Sequence, residues 1–169
     1  ICVSGDIVTD GYYRKPGASF DARLEFMDLI FHRMGDLGYF DDDHCLRFLG
    51  RKAECLITEQ GHLETERCEP IANAHDGIAK SALVGIGKGK TKEPCLVVEP
   101  LDENSEKRAL EDRIRDDLRQ NLPDFAIKRI FWQNSIPVDS RHNAKIHRLA
   151  LARKWTKLVA SDPELGLPK

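Results

Sequence analysis

Two charged residues that each follow a glycine carry side chains suited to binding a nucleotide. Asp36 follows Gly35, and Arg51 follows Gly50. A carboxylate accepts hydrogen bonds from neighbouring hydroxyls such as a ribose diol, and a guanidinium pairs with phosphate through two parallel bonds. Each dipeptide taken alone is also typical of a solvated turn, so the interpretation depends on the elements that position the two residues.

The segment between them has the pattern of two short strands joined by a tight acidic turn. Leu37, Tyr39 and Phe40 predict the first strand, residues 41–44 the turn, and residues 46–49 the second strand. Asp36 and Arg51 lie at the ends of this hairpin. The hairpin is therefore a candidate nucleotide clamp.

The whole block resembles the nucleotide-binding hairpin of the AMP-forming adenylating enzymes, the superfamily of acyl-CoA synthetases, adenylation domains and luciferases. Those enzymes carry Gly-Asp, then Gly-Tyr-x-Asp-x-Asp-Gly, then a strand that ends in Gly-Arg. This chain has Gly-Asp at 35–36, Gly-Tyr-Phe-Asp-Asp-Asp at 38–43 and Gly-Arg at 50–51, and His44 replaces the usual turn glycine. The resemblance implies that Asp36 anchors the ribose and that Arg51 supports the nucleotide phosphate.

Composition limits the function classes. The chain has 169 residues and a net charge of −2, so nothing in its overall charge points to nucleic acid or to a membrane surface. No apolar run is long enough to span a membrane. Five scattered cysteines have neither zinc-ligand nor redox spacing, which favours reduced thiols and a cytoplasmic protein. The chain starts in what reads as mid-strand, and we expect a fragment of a longer protein.

The pattern of elements predicts an α+β fold in two parts. The resemblance implies that residues 1–49 belong to the distal β-subdomain of the large adenylating domain, that 50–54 are a hinge, and that 55–169 form a small, mobile, three-layer-like α+β lid. The family's hinge residue falls at Ala53, where Asp or Lys is usual.

Hydrophobic periodicity and turn residues give the expected elements. They are strand pieces within 1–13, a helical or irregular segment at 18–30, a hairpin at 55–64, a helix from Thr65 with that residue as N-cap, strands at 78–86 and 94–99, a helix at 104–121 and a strand at 127–132. Residues 87–92 contain Gly-Lys-Thr at 89–91 but lack the first glycine of a phosphate loop, because Val84 takes that position. We expect them to form a solvated basic turn.

A second motif lies near the end of the chain. Residues 137–148 resemble the Pro-x-x-x-x-Gly-Lys-x-x-Arg signature of the same superfamily, which supplies its catalytic lysine, although six residues rather than four follow Pro137 before position 144. Lys145 takes the lysine position, and Ala144 replaces the glycine. A basic helix end is the alternative interpretation, because residues 141–157 include six Lys or Arg and no acidic residue.

Five stretches, including residues 32–40, 61–69 and 137–145, resemble the β-lactone synthetase branch of the superfamily, from bacterial olefin biosynthesis. That resemblance implies adenylation of a 2-alkyl-3-hydroxy fatty acid by ATP with Mg²⁺, and then lactone closure with release of AMP. Implied partners are a missing N-terminal domain and other olefin-pathway enzymes. The fragment alone is expected to be inactive. The alternatives are a fatty acyl-CoA synthetase and a non-catalytic lid-like binding module.

Overall fold

The computed structural model describes residues 1–102, 106–139 and 145–168. The chain divides into two compact units, Ile1–Ala53 and Glu54–Lys169. Within the described ranges, no helix is both long enough and apolar enough to cross a lipid bilayer.

The first unit contains a small helix and two small sheets. Its elements are β1 (Cys2–Val3), α1 (Pro16–Ala22), β2 (Arg23–Phe26), β3 (Leu29–Arg33), β4 (Asp36–Phe40) and β5 (Leu46–Arg51). One sheet has the antiparallel order β1-β3-β2, and β4 pairs with β5 in the other. The second strand piece expected within 1–13 does not form.

The prediction for residues 18–30 was wrong over most of its length, because the helix ends at Ala22 and a β-hairpin follows. Met27 and Asp28 form its turn, and both have positive φ, +47° and +59°. A two-residue turn of this kind normally takes Asn-Gly or Asp-Gly. Phe20, Leu24 and Met27 are spaced for a helix face, and the Met-Asp pair gives no turn signal that would oppose that interpretation.

Large apolar side chains of the first unit lie at its surface. Phe20 is 81% exposed, Phe40 70% and Met27 78%. All of the buried hydrophobic residues among the described ones belong to the second unit, from Leu63 to Trp155. Burial of apolar area is the dominant favourable term in folding, so the second unit has a core of its own and the first has little.

The second unit is a mixed sheet with helices on both faces. Its elements are β6 (Leu56–Thr58), β7 (Gly61–Leu63), α2 (Thr65–Asn73), β8 (Ile78–Ile86), β9 (Glu93–Pro100), α3 (Lys107–Asn121), β10 (Arg129–Trp132) and α4 (Arg148–Ser161). The main sheet has the order β10-β9-β8, with β10 parallel and β8 antiparallel to β9. The predicted α+β fold is confirmed.

Two hydrophobic clusters lie on opposite faces of this sheet. Alternate residues of β8 and β9 enter each cluster, as the pleat of a strand requires. Leu83 and Leu96 pack in the cluster with α2 and α3, and Val84 and Val97 in the cluster with α4. Because both faces are covered, β8 and β9 are apolar along nearly their whole length, which is why the sequence identified them.

Two details at the edges of these elements are informative. Thr65 is the first residue inside α2 rather than its N-cap, which is Glu64, and Thr65 is 3% exposed. Its side chain is therefore buried, and no side-chain hydrogen bond caps the helix.

The basic tract at 87–92 joins β8 to β9 as an exposed turn, as predicted. A strand follows its Gly-Lys-Thr instead of the helix that a phosphate loop needs.

Candidate functional site

The hairpin β4–β5 places Asp36 directly opposite Arg51 in the strand register. Arg51 Nη1 lies 3.0 Å from Asp36 Oδ1, and the same Nη1 donates to the carbonyl of Met34 at 3.2 Å. The Asp36 side chain is 16% exposed and that of Arg51 58%. Strand pairing thus brings the two predicted nucleotide ligands together as one ion pair, with most of the guanidinium still accessible.

Asp41 organises the acidic turn of this hairpin. Its Oδ1 accepts hydrogen bonds from the backbone N–H of Asp43 at 3.1 Å and of Cys45 at 2.8 Å, and its Oδ2 accepts one from Arg47. These bonds lower the pKa of the Asp41 carboxyl, the Cys45 amide most strongly. His44 has φ +57°. The residue that replaces the expected glycine therefore adopts the left-handed conformation for which glycine is the usual choice.

Gly38 allows the two strands to approach closely. A Cβ atom added there would lie 2.7 Å from the carbonyl oxygen of Arg47 on the opposite strand. This contact coincides with a register shift between Leu37 and Gly38. The glycine in the Gly-Tyr dipeptide is therefore required by strand packing.

Ala53, the predicted hinge residue, is exposed within a short 3-10 turn formed by Lys52–Glu54. The backbone N–H of Lys52 donates to the carbonyl of Gly35 at 2.9 Å. Ala53 is the last residue of the first unit, and Glu54 is the first residue of the second. The methyl side chain of Ala53 cannot form a hydrogen bond with the residues on either side of it in the chain.

Lys145 belongs to the second unit, and its side chain is exposed. Val138 and Ile146 form an antiparallel bridge. The Lys145 carbonyl accepts from the N–H of Asp139 at 2.9 Å, and the Lys145 N–H donates to Asp139 Oδ1 at 2.9 Å. Ile146 is 7% exposed in the cluster with α4. The backbone of Lys145 is therefore held on one side by hydrogen bonds and on the other by a buried neighbour. Ala144 lies outside the described residues.

The prediction of functional residues missed Arg148, the arginine that ends the Lys145 motif. Its Nη2 donates to Glu69 Oε1 at 2.9 Å and Oε2 at 2.8 Å, and its Nη1 donates to Glu54 Oε2 at 2.6 Å. Burial raises the pKa of Glu69, and the guanidinium opposes that rise. The signal was present in the motifs, since both Arg148 and Glu69 stand in stretches that resemble the family.

Among the described residues, no group of three or more His, Cys, Asp or Glu side chains is placed to hold a metal ion. All five cysteines are free thiols. The described residues therefore offer no cluster of three protein ligands for the Mg²⁺ that the resemblance implies, an ion that usually binds one or two carboxylates together with substrate phosphates.

The chain is similar in sequence to several known proteins. No family model matches the chain. An olefin β-lactone synthetase of Stenotrophomonas maltophilia is 38% identical over 157 residues, which cover 90% of this chain and 28% of that protein. Several CoA ligases also match, at 28–30% identity. The chain therefore spans less than a third of the length of these relatives.

Solved structures show the same fold. The amide bond synthetase McbA of Marinactinospora thermotolerans matches 91% of this chain and 30% of its own chain, with a TM-score of 0.74 and 23% identity. The O-succinylbenzoate coenzyme A synthetase MenE of Bacillus subtilis, in complex with AMP, matches 89% of this chain and 29% of its own, with a TM-score of 0.72 and 20% identity.

Proposed function

We propose that this chain is the C-terminal portion of an ATP-dependent ligase. Its homologues are olefin β-lactone synthetases and CoA ligases, and its fold is that of the C-terminal part of adenylating enzymes. That ligase converts a fatty carboxylic acid into an acyl-adenylate. The first unit would close the large domain, and the second would be its lid. Support comes from the exposed apolar side chains of the first unit, which suit a surface covered by more of the large domain, and from the separate core of the second.

The observation that carries the proposal is the Asp36–Arg51 pair at the base of the hairpin, combined with the similarity to β-lactone synthetases. Asp36 offers a fixed carboxylate to the ribose hydroxyls. Arg51, more than half exposed, keeps guanidinium N–H groups available for phosphate. One hairpin can therefore contact both the ribose and the phosphate of an adenosine phosphate.

The chemistry assigns Lys145 to the first half-reaction. The carboxylate oxygen attacks the α-phosphorus of ATP, the bond to the bridging oxygen breaks, and pyrophosphate leaves. Negative charge accumulates as two anions approach, and the exposed ammonium of Lys145 is a compact cation that can stabilise it.

The substrate we propose is a 2-alkyl-3-hydroxy fatty acid. After adenylation the 3-hydroxyl oxygen attacks the acyl carbon, the bond to the AMP oxygen breaks, and the hydroxyl proton is released. The product is a β-lactone. Because the nucleophile is part of the substrate, its high effective concentration partly offsets the strain of the four-membered ring.

Fatty acyl-CoA synthesis is the second candidate, since several matching relatives are CoA ligases. In that reaction a thiol replaces the internal hydroxyl. A non-catalytic lid-like module is the third candidate, motivated by alanine at positions 53 and 144.

The test uses this chain within the complete ligase, incubated with ATP and either a 2-alkyl-3-hydroxy acid or a simple fatty acid. The proposal predicts pyrophosphate and AMP release with the 3-hydroxy acid in the absence of coenzyme A, and a lactone ring visible by NMR. A strict requirement for coenzyme A favours the second candidate. No pyrophosphate with any acid favours the third.

A further inference from the structure

Arg148 joins three parts of the second unit that are far apart in sequence. It is the first residue of α4, its bidentate partner Glu69 is in α2, and its other partner Glu54 is the first residue of the unit. The Arg148 side chain is only 16% exposed, and those of Glu69 and Glu54 are 9% and 19% exposed. All three side chains are thus largely withdrawn from water. Ion pairs in such a partly buried position are screened less by salt than ion pairs at the surface.

Glu69 fixes this network to the main sheet. Its Oε1 accepts a hydrogen bond from the backbone N–H of Leu83 at 2.8 Å, and its own carbonyl accepts one from Ser81 Oγ at 3.3 Å. Leu83 and Ser81 lie on β8, an outer strand of that sheet. The carboxylate therefore satisfies a backbone donor of an edge strand while it binds the guanidinium.

Lys145 precedes Arg148 by three residues, and the segment between them is tightly held. Ile146 is buried, the N–H of His147 donates to the carbonyl of Pro137 at 2.9 Å, and the N–H of Arg148 donates to the carbonyl of Ile146 at 3.0 Å. Only Ile146 and His147 separate Lys145 from Arg148, so the two residues belong to one held segment of backbone.

We propose that Arg148 is a positioning residue for the adenylation step, because its bonds to Glu69 and Glu54 fix the Lys145 segment to the sheet and to the residue that follows Ala53. The proposal rests on the adenylating function assigned above. Any rotation of the second unit about the backbone at Ala53 then carries Lys145 as part of a rigid body, because Glu54 moves with it.

The bidentate geometry makes a conservative variant informative. Arg148→Lys keeps the positive charge beside Glu69, but an ammonium cannot form two parallel bonds to one carboxylate and a third to Glu54. The matched control is Arg153→Lys, an exposed arginine on the same helix.

The experiment compares both variants with wild type in the complete ligase. Adenylation is measured by ATP–pyrophosphate exchange, and the second step by consumption of a preformed acyl-adenylate. We expect Arg148→Lys to lower kcat for exchange by about 10-fold to 100-fold, the range that misplacement of a catalytic group produces. KM for ATP should change little, and adenylate consumption should stay at the rate of wild type. Arg153→Lys should match wild type in all three.

Each other outcome decides against the proposal. Exchange by Arg148→Lys at the rate of Arg153→Lys overturns it, and so does a parallel fall of both half-reactions, which indicates a merely structural role. A rise in KM for ATP with unchanged kcat also contradicts it.

Lys145→Ala, measured alongside, distinguishes failure of the positioning role of Arg148 from failure of the proposed function. If Lys145→Ala abolishes exchange and Arg148→Lys does not, only the positioning role fails. If wild type shows no exchange with any acid, the proposed function fails and the positioning role with it.

Discussion

Replacement of Arg148 by methionine should destabilise the second unit strongly at neutral pH. The change removes three hydrogen-bonding contacts with Glu69 and one with Glu54. Glu69 then keeps the N–H of Leu83 as a donor but loses its counter-charge, while its side chain is only 9% exposed. Removal of one partner from a buried pair typically costs about 3–5 kcal/mol.

The loss should depend on pH, with a defined sign. Burial already raises the pKa of Glu69, and Arg148 opposes the rise. Without the guanidinium the pKa of Glu69 in the folded variant rises further above its unfolded value. Folding then takes up a proton, so the free energy of unfolding of the variant increases as the pH falls through the folded pKa. The difference between the variant and wild type should therefore shrink on acidification.

Urea denaturation followed by tryptophan fluorescence is a suitable assay, because both tryptophans of the chain, Trp132 and Trp155, lie in the second unit. The double variant Arg148→Met/Glu69→Gln removes the unpaired negative charge and keeps an amide oxygen that can accept from the N–H of Leu83, so it should recover part of the stability and lose the pH dependence. Arg153→Met, at the surface, should stay within about 0.5 kcal/mol of wild type. A deficit for Arg148→Met below about 1 kcal/mol, or one that is constant with pH, would refute this reasoning.

Three further perturbations test other parts of the structure. Ile114→Ala empties a fully buried position in the cluster with α2 and α3, and should lower the free energy of unfolding by about 2–5 kcal/mol in the same urea assay, whereas a loss under 1 kcal/mol would contradict the packing. Gly38→Ala places a methyl group 2.7 Å from the carbonyl oxygen of Arg47, and should raise KM for ATP in the complete ligase, an unchanged KM being the contrary result. Asp41 has a lowered pKa, so its contribution to the hairpin is complete above its ordinary pKa and is lost as the pH falls through the folded value. Hydrogen exchange of the Cys45 amide in wild type should therefore accelerate in acid relative to exchange of the same amide in the Asp41→Asn variant. Equal rates in the two proteins would contradict this role of Asp41.

The sequence predicted the elements whose pattern is set by local residues. The hairpin from Asp36 to Arg51 has alternating apolar residues and an acidic turn, and β8 and β9 are nearly continuous apolar runs. The helix α3 shows one apolar face at Leu110, Ile114 and Leu118, all of which are buried, and Arg115 is buried beside them. In β8, β9 and α3 propensity, periodicity and burial agree, whereas the hairpin forms with Phe40 and Phe48 exposed.

The failures have a common cause in tertiary contacts. The turn at Met27–Asp28 adopts a left-handed backbone without the residues that normally signal it. Thr65 has the side chain of an N-cap but is buried inside the first turn of α2. Arg148 was identified only as the last residue of the Lys145 motif and was given no role, because its two carboxylate partners precede it by 79 and 94 residues, and the motif does not show which residues it pairs with.

The most direct test of the adenylation function concerns Lys145, whose side chain is exposed and whose backbone is held in place. In the complete ligase, Lys145→Ala should fold as wild type does, because among the described residues no buried partner of the exposed Lys145 side chain is left unpaired, and Lys157→Ala on the exposed side of α4 serves as the control. The predicted result is a fall of about 10²–10³ in the rate of ATP–pyrophosphate exchange, with consumption of a preformed acyl-adenylate unchanged. An exchange rate equal to that of Lys157→Ala would contradict the assignment of Lys145 and the function built on it.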